Sequence, residues 1–248
     1  MRLSAKQIKE NWNKLIKIIN DTFTGERKEK ILSMYDHLQD RMILAPASGT
    51  EYFHNCFPGG YVQHVLNIVH FVKQFYTVWK DNGAYVDNFT EEEIIFAAMH
   101  HDLGKVGDME KEQYIPNPSE WHRKNQGKIY TPNPELQFMT PPDRGIWILN
   151  QFGITMSINE MLGIKLADGL YDEGNVQYLK TYSEDKKIKS NLPFIVHQAD
   201  MTTSRIEYEQ WLHNKDKSTN TNNTVVVNKK DTQTIVELKN KFDELFPA

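Results

Sequence analysis

The chain has 248 residues, with 29 lysines and arginines against 33 aspartates and glutamates and a formal net charge of −4. With 39% hydrophobic and 25% charged residues, it has the composition of a globular domain and the length to bury a sizeable core. The balanced charge argues against duplex nucleic acid as the main partner, because binding to a duplex depends on a strong positive field.

Cysteine content and hydropathy indicate in which cellular compartment the protein is expected. The single cysteine, Cys56, excludes an intrachain disulfide and a zinc cage built from cysteines. The first residues lack an apolar signal core, and no stretch approaches the ~18 uninterrupted apolar residues of a membrane span. We therefore expect a cytoplasmic protein with no membrane partner. The abundance of lysine and asparagine favours an AT-rich bacterial or phage genome as its source.

Apolar residues at intervals of three and four predict helices through most of the chain, so the expected fold class is all-α. Thr90 and Glu93 form a capping-box pattern that opens a helix, and Ser157 and Glu160 form another. The first of these helices is apolar on all sides and should be central and buried. The predicted helices are 5–20, 29–44, one from near Tyr61, one from Thr90 to Gly104, 143–152, 157–167 and about 193–212.

Residues 107–142 interrupt this pattern with six prolines and several aromatic residues, among them Trp121, Tyr130 and Phe138. The composition predicts a long, ordered excursion with at most a short hairpin in it. Because loops of this length in a compact domain usually serve function, we expect the segment to form part of a substrate pocket, with Trp121 or Tyr130 near a base or sugar.

The composition changes again after residue 212. Residues 213–232 are polar and rich in asparagine, threonine and lysine, which predicts a flexible linker. Apolar residues then recur at helical spacing, so a short amphipathic helix is expected over 233–248, docked on its own domain, on a second copy of the chain or on a partner protein. The predicted organisation is N-terminal helices over 1–50, a main domain over 51–212, the linker and the docking helix.

The most informative string is Ala98-Met99-His100-His101-Asp102-Leu103-Gly104-Lys105, at the end of the apolar helix. A carboxylate in such a helix needs a charged partner or a metal ion. A helical histidine, His64, lies upstream, and a helical aspartate, Asp200, lies downstream. This arrangement resembles the HD phosphohydrolase superfamily, whose pattern is H…HD…D with HDxGK as a frequent central form. The resemblance covers roughly residues 50–210 and implies a helical bundle of the HD-domain type.

The resemblance implies one divalent ion held by His64, His101, Asp102 and Asp200. Two imidazoles and two carboxylates suit Mn, Fe, Co, Ni, Mg or Zn. Such an ion would activate a water molecule, and Lys105 would offset the charge of the phosphate. Taken singly, His64 could be a core histidine and Asp200 a surface carboxylate; the full set favours a metal site.

Relatives that bind further ions carry additional histidines between the HD pair and the last aspartate. Here the corresponding segments, 141–144 and 166–169, contain no histidine. We therefore expect a single ion, with Asp168 as a weak candidate for a second, and neither di-iron oxygenase chemistry nor cyclic-dinucleotide hydrolysis.

Further candidates follow from position alone. His197 lies one helical turn before Asp200, and His122 lies in the proline-rich excursion, so either could join Lys105 and Asp102 in catalysis. The residues proposed to bind substrate are Lys105, Arg144, Trp121 and Tyr171. Structural histidines, solvated charges and a turn around Tyr171 are the alternative interpretations.

The leading hypothesis is a metal-dependent phosphohydrolase that cleaves a phosphate ester of a small nucleotide, with deoxynucleotides as the first choice. One alternative is a 3′→5′ exonuclease acting on single-stranded RNA or DNA, because the segment from Gly59-Gly60 to His64 also resembles that of bacterial HD exoribonucleases. The acidic net charge weighs against it. A second alternative is a non-catalytic binding module in which the metal is structural.

Overall fold

The computed structural model describes residues 3–181 and 183–221, and this part of the chain forms nine α-helices and one two-stranded sheet. The predicted all-α class is confirmed. The helices are α1 (Ala5–Thr22), α2 (Gly25–Leu44), α3 (Gly60–Asp81), α4 (Glu91–His100), α5 (Glu120–Gln126), α6 (Pro141–Gln151), α7 (Ile158–Lys165), α8 (Val176–Leu179) and α9 (Leu192–Thr221); the strands are β1 (Tyr114–Pro116) and β2 (Tyr130–Pro132).

The helix starts follow from local side-chain chemistry. The Thr90 hydroxyl accepts from the Glu93 N–H while the Glu93 carboxylate accepts from the Thr90 N–H, which confirms the predicted capping box at α4. Ser157 and Glu160 do the same at α7. These reciprocal bonds satisfy backbone donors that the first turn of a helix leaves without partners.

Helix α4 is the centre of the molecule. Its residues from Ile94 to His100 are all buried, as the apolar sequence predicts. Helices α3, α7 and α9 pack against it, and α1 and α2 pack against α3. Side chains of α1 and α2 belong to the same hydrophobic core as those of α3 and α4. The residues that follow the end of α4 at His100 therefore lie close to both α3 and α9.

The excursion is ordered around an antiparallel hairpin, in which Ile115 of β1 faces Thr131 of β2. A short hairpin was the most regular structure that the sequence analysis allowed for here, and α5 between its strands was not predicted. Helix α5 has seven residues, EWHRKNQ, and none of them is buried, so the sequence carries no apolar period to reveal it. The Tyr130 N–H donates to the Gly49 carbonyl at 3.0 Å, which joins the hairpin to the loop before α3.

Helix α9 is longer than predicted, because it continues past residue 212 to Thr221. Trp211 packs edge-to-face on Tyr52 with ring centroids 5.6 Å apart, and the Lys215 ammonium lies 5.0 Å from the Trp211 ring. These contacts hold the extra turns on the body of the domain. The remainder of the predicted linker and the docking helix over 233–248 lie outside the described residues. No helix in 3–181 or 183–221 is both long and apolar enough to cross a membrane.

Candidate metal centre

The four predicted ligands come from three helices and lie together. His64 is in the first half of α3, His101 and Asp102 follow the last residue of α4, and Asp200 is in α9. The two histidines and Asp102 are buried, each with at most 3% of its surface exposed. Residues far apart in sequence thus form one buried cluster because α3 and α9 both pack against α4.

The cluster has the dimensions of a metal site. The His64 Nε2 atom lies 3.3 Å from Asp200 Oδ1 and 3.7 Å from Asp102 Oδ2. The His101 Nε2 atom lies 3.4 Å from Asp102 Oδ2 and 3.9 Å from Asp200 Oδ1. Adjacent ligands of an ion bound at about 2.1 Å lie about 3.0 Å apart around an octahedral ion and about 3.4 Å apart around a tetrahedral one. Ligand atoms of His64, His101 and Asp200 all lie within 4.8 Å of one another, so this group could hold a divalent ion.

Both imidazoles are oriented as metal ligands are. The Nδ1 atom of His64 donates to Glu207 Oε2 at 2.9 Å, and that of His101 donates to the Ala98 carbonyl at 2.9 Å. Their Nε2 atoms are buried and have no hydrogen-bond partner among the described residues. A histidine that donates through one nitrogen and presents the lone pair of the other is typical of metal sites, where the outer bond fixes tautomer and ring orientation.

Glu207 is a functional candidate that was not predicted from the sequence. It is 3% exposed, and its second carboxylate oxygen accepts from the Asn67 amide at 2.8 Å. It lies two helical turns beyond Asp200, so it is on the same face of α9. That spacing was the available signal, but a carboxylate seven residues after another is common on solvated helices.

The Glu207 carboxylate should set the affinity of the centre. We expect Glu207→Gln to weaken divalent-metal binding by about 10- to 100-fold, because the amide holds the His64 ring less firmly and makes its nitrogen less basic. Calorimetric titration with Mn²⁺ measures this. The matched control is Glu209→Gln on the same helix, where the carboxylate pairs with Arg205 at the surface. Equal affinities in the two variants would contradict the role of Glu207.

The turn after α4 positions Lys105. Residues Leu103–Val106 form a tight 3₁₀ turn, and a Cβ atom at Gly104 would overlap the Pro141 carbonyl oxygen, so glycine is required there. The Arg144 guanidinium donates to the Gly104 carbonyl at 3.1 Å and supports the turn from behind. The Lys105 ammonium lies 2.6 Å from Asp102 Oδ2. The HDxGK string thus places a cation directly beside a predicted ligand.

The charges of the cluster shift one another's pKa values. Burial opposes the charging of His64, but the Glu207 and Asp200 carboxylates outweigh it and raise the pKa of His64 to about 10. Asp102 likewise overcomes burial and raises the pKa of His101. Against the effect of burial, the two histidines lower the pKa of Asp200 to about 2. At neutral pH Asp102 and Asp200 are therefore ionised, and in the absence of an ion His64 carries a second proton on Nε2, the nitrogen that a metal would use.

Metal uptake should therefore release protons. A ligating imidazole must be neutral, so a divalent ion displaces the proton of His64, whereas Asp200 is already ionised. At pH 7 we expect at least one proton released for each ion bound, with an apparent affinity that falls about tenfold for each unit by which the pH is lowered. Titration calorimetry in two buffers of different ionisation enthalpy measures the release. Uptake without proton release would contradict this protonation state.

A cavity of 1430 Å³ opens beside the cluster, and Asp200 and Lys105 line it. The excursion supplies one wall through Tyr114, Asn117, Lys128 and residues 130–132. The excursion thus lies next to the cluster, and its role in a substrate pocket stays a prediction. The other lining residues are Ala47, Ser48, Gly49, Thr50, Tyr52, Phe53, His54, Asp168, Tyr171, His197, Met201, Thr202, Ser204, Arg205, Ile206 and Tyr208.

The structure brings some of the other candidates to this cavity and leaves the rest away from it. His197 and Tyr171 line it. Neither Trp121 nor His122 is among the described residues that line it; both are in α5, and Trp121 is 58% exposed. Arg144 is 3% exposed, and its guanidinium also donates to Gln113 and to the Gln137 carbonyl. Its contacts make it a support for the turn.

His54 is a second residue at the site that was not predicted from the sequence. Its ring stacks on that of His64, with centroids 4.5 Å apart and planes 27° from parallel. Burial, with smaller effects from His64 and Lys105, holds the pKa of His54 well below its usual value, so the imidazole is neutral. It precedes α3 in an irregular loop with no periodic pattern, and only the fold places it at the site.

Comparisons with protein-family models, with curated proteins and with solved structures give no match for this chain. The case for a family and a function consequently depends on the motif, the cluster and the cavity.

Proposed function

We propose that the protein is a metal-dependent phosphohydrolase of the HD type, acting on a phosphate ester of a nucleotide. One observation carries the proposal. Two buried imidazole Nε2 atoms without partners among the described residues face two carboxylate oxygens at 3.3–3.9 Å, with the ammonium of Lys105 beside them on a cavity wall. Such a donor set, open on one side, suits an ion that must also contact water and substrate.

The residues of the centre have separable tasks. When bound, a divalent ion held by His64, His101, Asp102 and Asp200 would polarise the phosphate and lower the pKa of a bound water. Lys105 faces the same cavity and would neutralise charge that develops on the phosphate oxygens. Because its ammonium is already fixed beside Asp102, little reorganisation is required when substrate binds.

Two further cavity residues are suited to proton transfer. The Nδ1 atom of His197 donates to the Ala167 carbonyl at 2.7 Å, so in the neutral ring the lone pair is on Nε2, where it can accept a proton. Burial, together with the charge of Asp102, raises the pKa of Asp168, so this carboxyl retains a proton more readily than a surface aspartate does. A carboxyl that holds its proton can donate it to a leaving oxygen.

The test is direct hydrolysis by the full chain. The protein is loaded with Mn²⁺ and given a panel of ribonucleoside and deoxynucleoside mono- and triphosphates, with release of phosphate, pyrophosphate or nucleoside measured by chromatography. The expected result is turnover of at least one nucleotide that is lost in Asp200→Asn and retained in the surface variant Asp143→Asn. Metal binding without turnover of any phosphate ester would leave the non-catalytic alternative in place.

A second candidate, hydrolysis at the end of a single-stranded oligonucleotide, is favoured by the cavity. Its 1430 Å³ exceed the roughly 300–1,000 Å³ of small-molecule sites. Tyr52 and Tyr208 line it and both contact Trp211, while the Arg205 guanidinium lies 5.4 Å from the Tyr208 ring. Aromatic rings interleaved with cations are the platform on which proteins stack unpaired bases.

Labelled single-stranded RNA and DNA separate the two candidates. If an oligonucleotide end is the substrate, Tyr52→Ala should raise KM for oligonucleotides by about tenfold, the worth of one stacked base, and leave KM for mononucleotides unchanged. The matched control is Tyr85→Ala, an exposed tyrosine that does not line the cavity. Turnover of mononucleotides alone would remove this candidate.

A further inference from the structure

His54 lies at the metal centre with an imidazole nitrogen that no described residue uses. Its Nε2 atom is buried and has no hydrogen-bond partner within 3–181 and 183–221. One ligand atom each of His54, His64 and Asp102 lie within 4.8 Å of one another. A second group of the same dimensions contains His64, His101 and Asp200, so the two groups share His64. Burying a polar nitrogen without a partner is unfavourable, which calls for a ligand at that point.

The backbone around His54 is built to hold it there. The next residue, Asn55, has a φ of 43°. Among the described residues it is the one non-glycine residue with a left-handed backbone conformation. Its carbonyl accepts from the N–H groups of Phe57 at 2.9 Å and Ala47 at 3.1 Å, and it approaches Gly60 so closely that any Cβ there would overlap it. Strained backbone of this kind persists where surrounding contacts over-determine it, and it clusters at functional sites.

We propose that His54 is a fifth protein ligand of the same divalent ion, completing a set of three imidazoles and two carboxylates. The shared His64 and the stacked rings place His54 against the cluster. Five protein ligands exceed the four positions of a tetrahedral ion and leave an octahedral ion open on the side of the cavity. The set therefore favours a six-coordinate ion such as Mn²⁺, Fe²⁺, Co²⁺ or Ni²⁺ over tetrahedral Zn²⁺.

The inference rests on the metal centre of the proposed function but not on hydrolysis, so its test counts ligands. The full chain is loaded with one equivalent of Cu²⁺, and pulsed EPR counts the coordinated imidazoles. The wild-type protein should show three, and His54→Gln should show two. His54→Gln should also bind Mn²⁺ at least about tenfold more weakly. Loss of a direct ligand should weaken binding at least as much as loss of a residue that only hydrogen-bonds to a ligand, as Glu207 does.

The controls separate the possible failures. His70→Gln, at an exposed histidine that contacts Gln74 on the outside of α3, should keep three imidazoles and the wild-type affinity. Two imidazoles in the wild-type protein would overturn the role of His54 and leave the four-ligand centre standing, and this holds even if a His54 variant fails to fold. A chain that binds no stoichiometric ion would overturn both proposals.

Discussion

Replacement of Asp102 by asparagine should abolish metal retention and reduce hydrolysis by at least about 10³-fold. The substitution keeps the volume of the side chain but removes the charge that faces His64, His101 and Lys105. Since a bound metal is worth several kcal/mol of transition-state stabilisation, and about 1.4 kcal/mol corresponds to a factor of ten, a loss of this size follows. Metal analysis after gel filtration and initial rates measure the two effects.

Stability has to be followed in the same experiment. Removing one partner of a buried ion pair leaves the other charge uncompensated, which costs about 3–5 kcal/mol, so Asp102→Asn should also melt at a lower temperature. His101→Gln, which leaves the pair between Lys105 and Asp102 intact, should lose the metal with a smaller change in melting temperature. Stoichiometric metal in an Asp102→Asn, Asp200→Asn double variant would refute the assignment of the ligands.

Replacement of Lys105 by methionine should lower kcat by about 10²- to 10³-fold without weakening metal binding. The loss is of the size measured when one preorganised donor to a developing charge is removed. The structure also predicts the direction in which the affinity for the metal ion changes. Because the ammonium lies 2.6 Å from Asp102 Oδ2, it competes with an ion for that carboxylate, and the variant should hold the ion as tightly as the wild type or more tightly.

The matched control for Lys105 is Lys165→Met. Lys165 also forms an ion pair with an aspartate, at 2.7 Å from Asp143, but its partner lies outside the cluster and it does not line the cavity. Its variant should keep wild-type kcat and metal content. Wild-type kinetics in Lys105→Met would show that Lys105 serves only to balance the charge of Asp102, and loss of metal would place Lys105 in the support of the ligands.

Local sequence patterns predicted most of the helical scaffold. The seven predicted helices correspond to α1–α4, α6, α7 and α9, because each depends on an apolar stripe and on caps within three or four residues. The two exceptions have different reasons, one local and one long-range. Helix α5 buries no side chain, and α9 extends beyond its predicted end because Trp211 and Lys215 contact Tyr52, which is far away in the sequence.

Local sequence patterns likewise predicted one part of the candidate site and missed another. The string His101-Asp102-Leu103-Gly104-Lys105, with His64 and Asp200 on flanking helices, resembles the HD pattern, and that resemblance nominated four ligands and a cation. A carboxylate in an apolar helix supports the nomination, because it requires a partner or an ion. Arg144 was nominated for the substrate from its position alone. Its actual contact, the Gly104 carbonyl, is a backbone atom 40 residues away, and no side-chain pattern reports it.

Residue patterns were enough to establish the all-α class, the main helix starts and the pairing of a histidine with an aspartate at the end of a buried helix. The packing of the whole domain was needed to show that Glu207 orients His64 across 143 residues of sequence and that His54 stacks on the same ring. The difference is one of range. Periodicity and capping act over one or two helical turns, whereas the orientation and charge state of a buried ligand depend on whichever distant side chains the packing of α3, α4 and α9 brings against it.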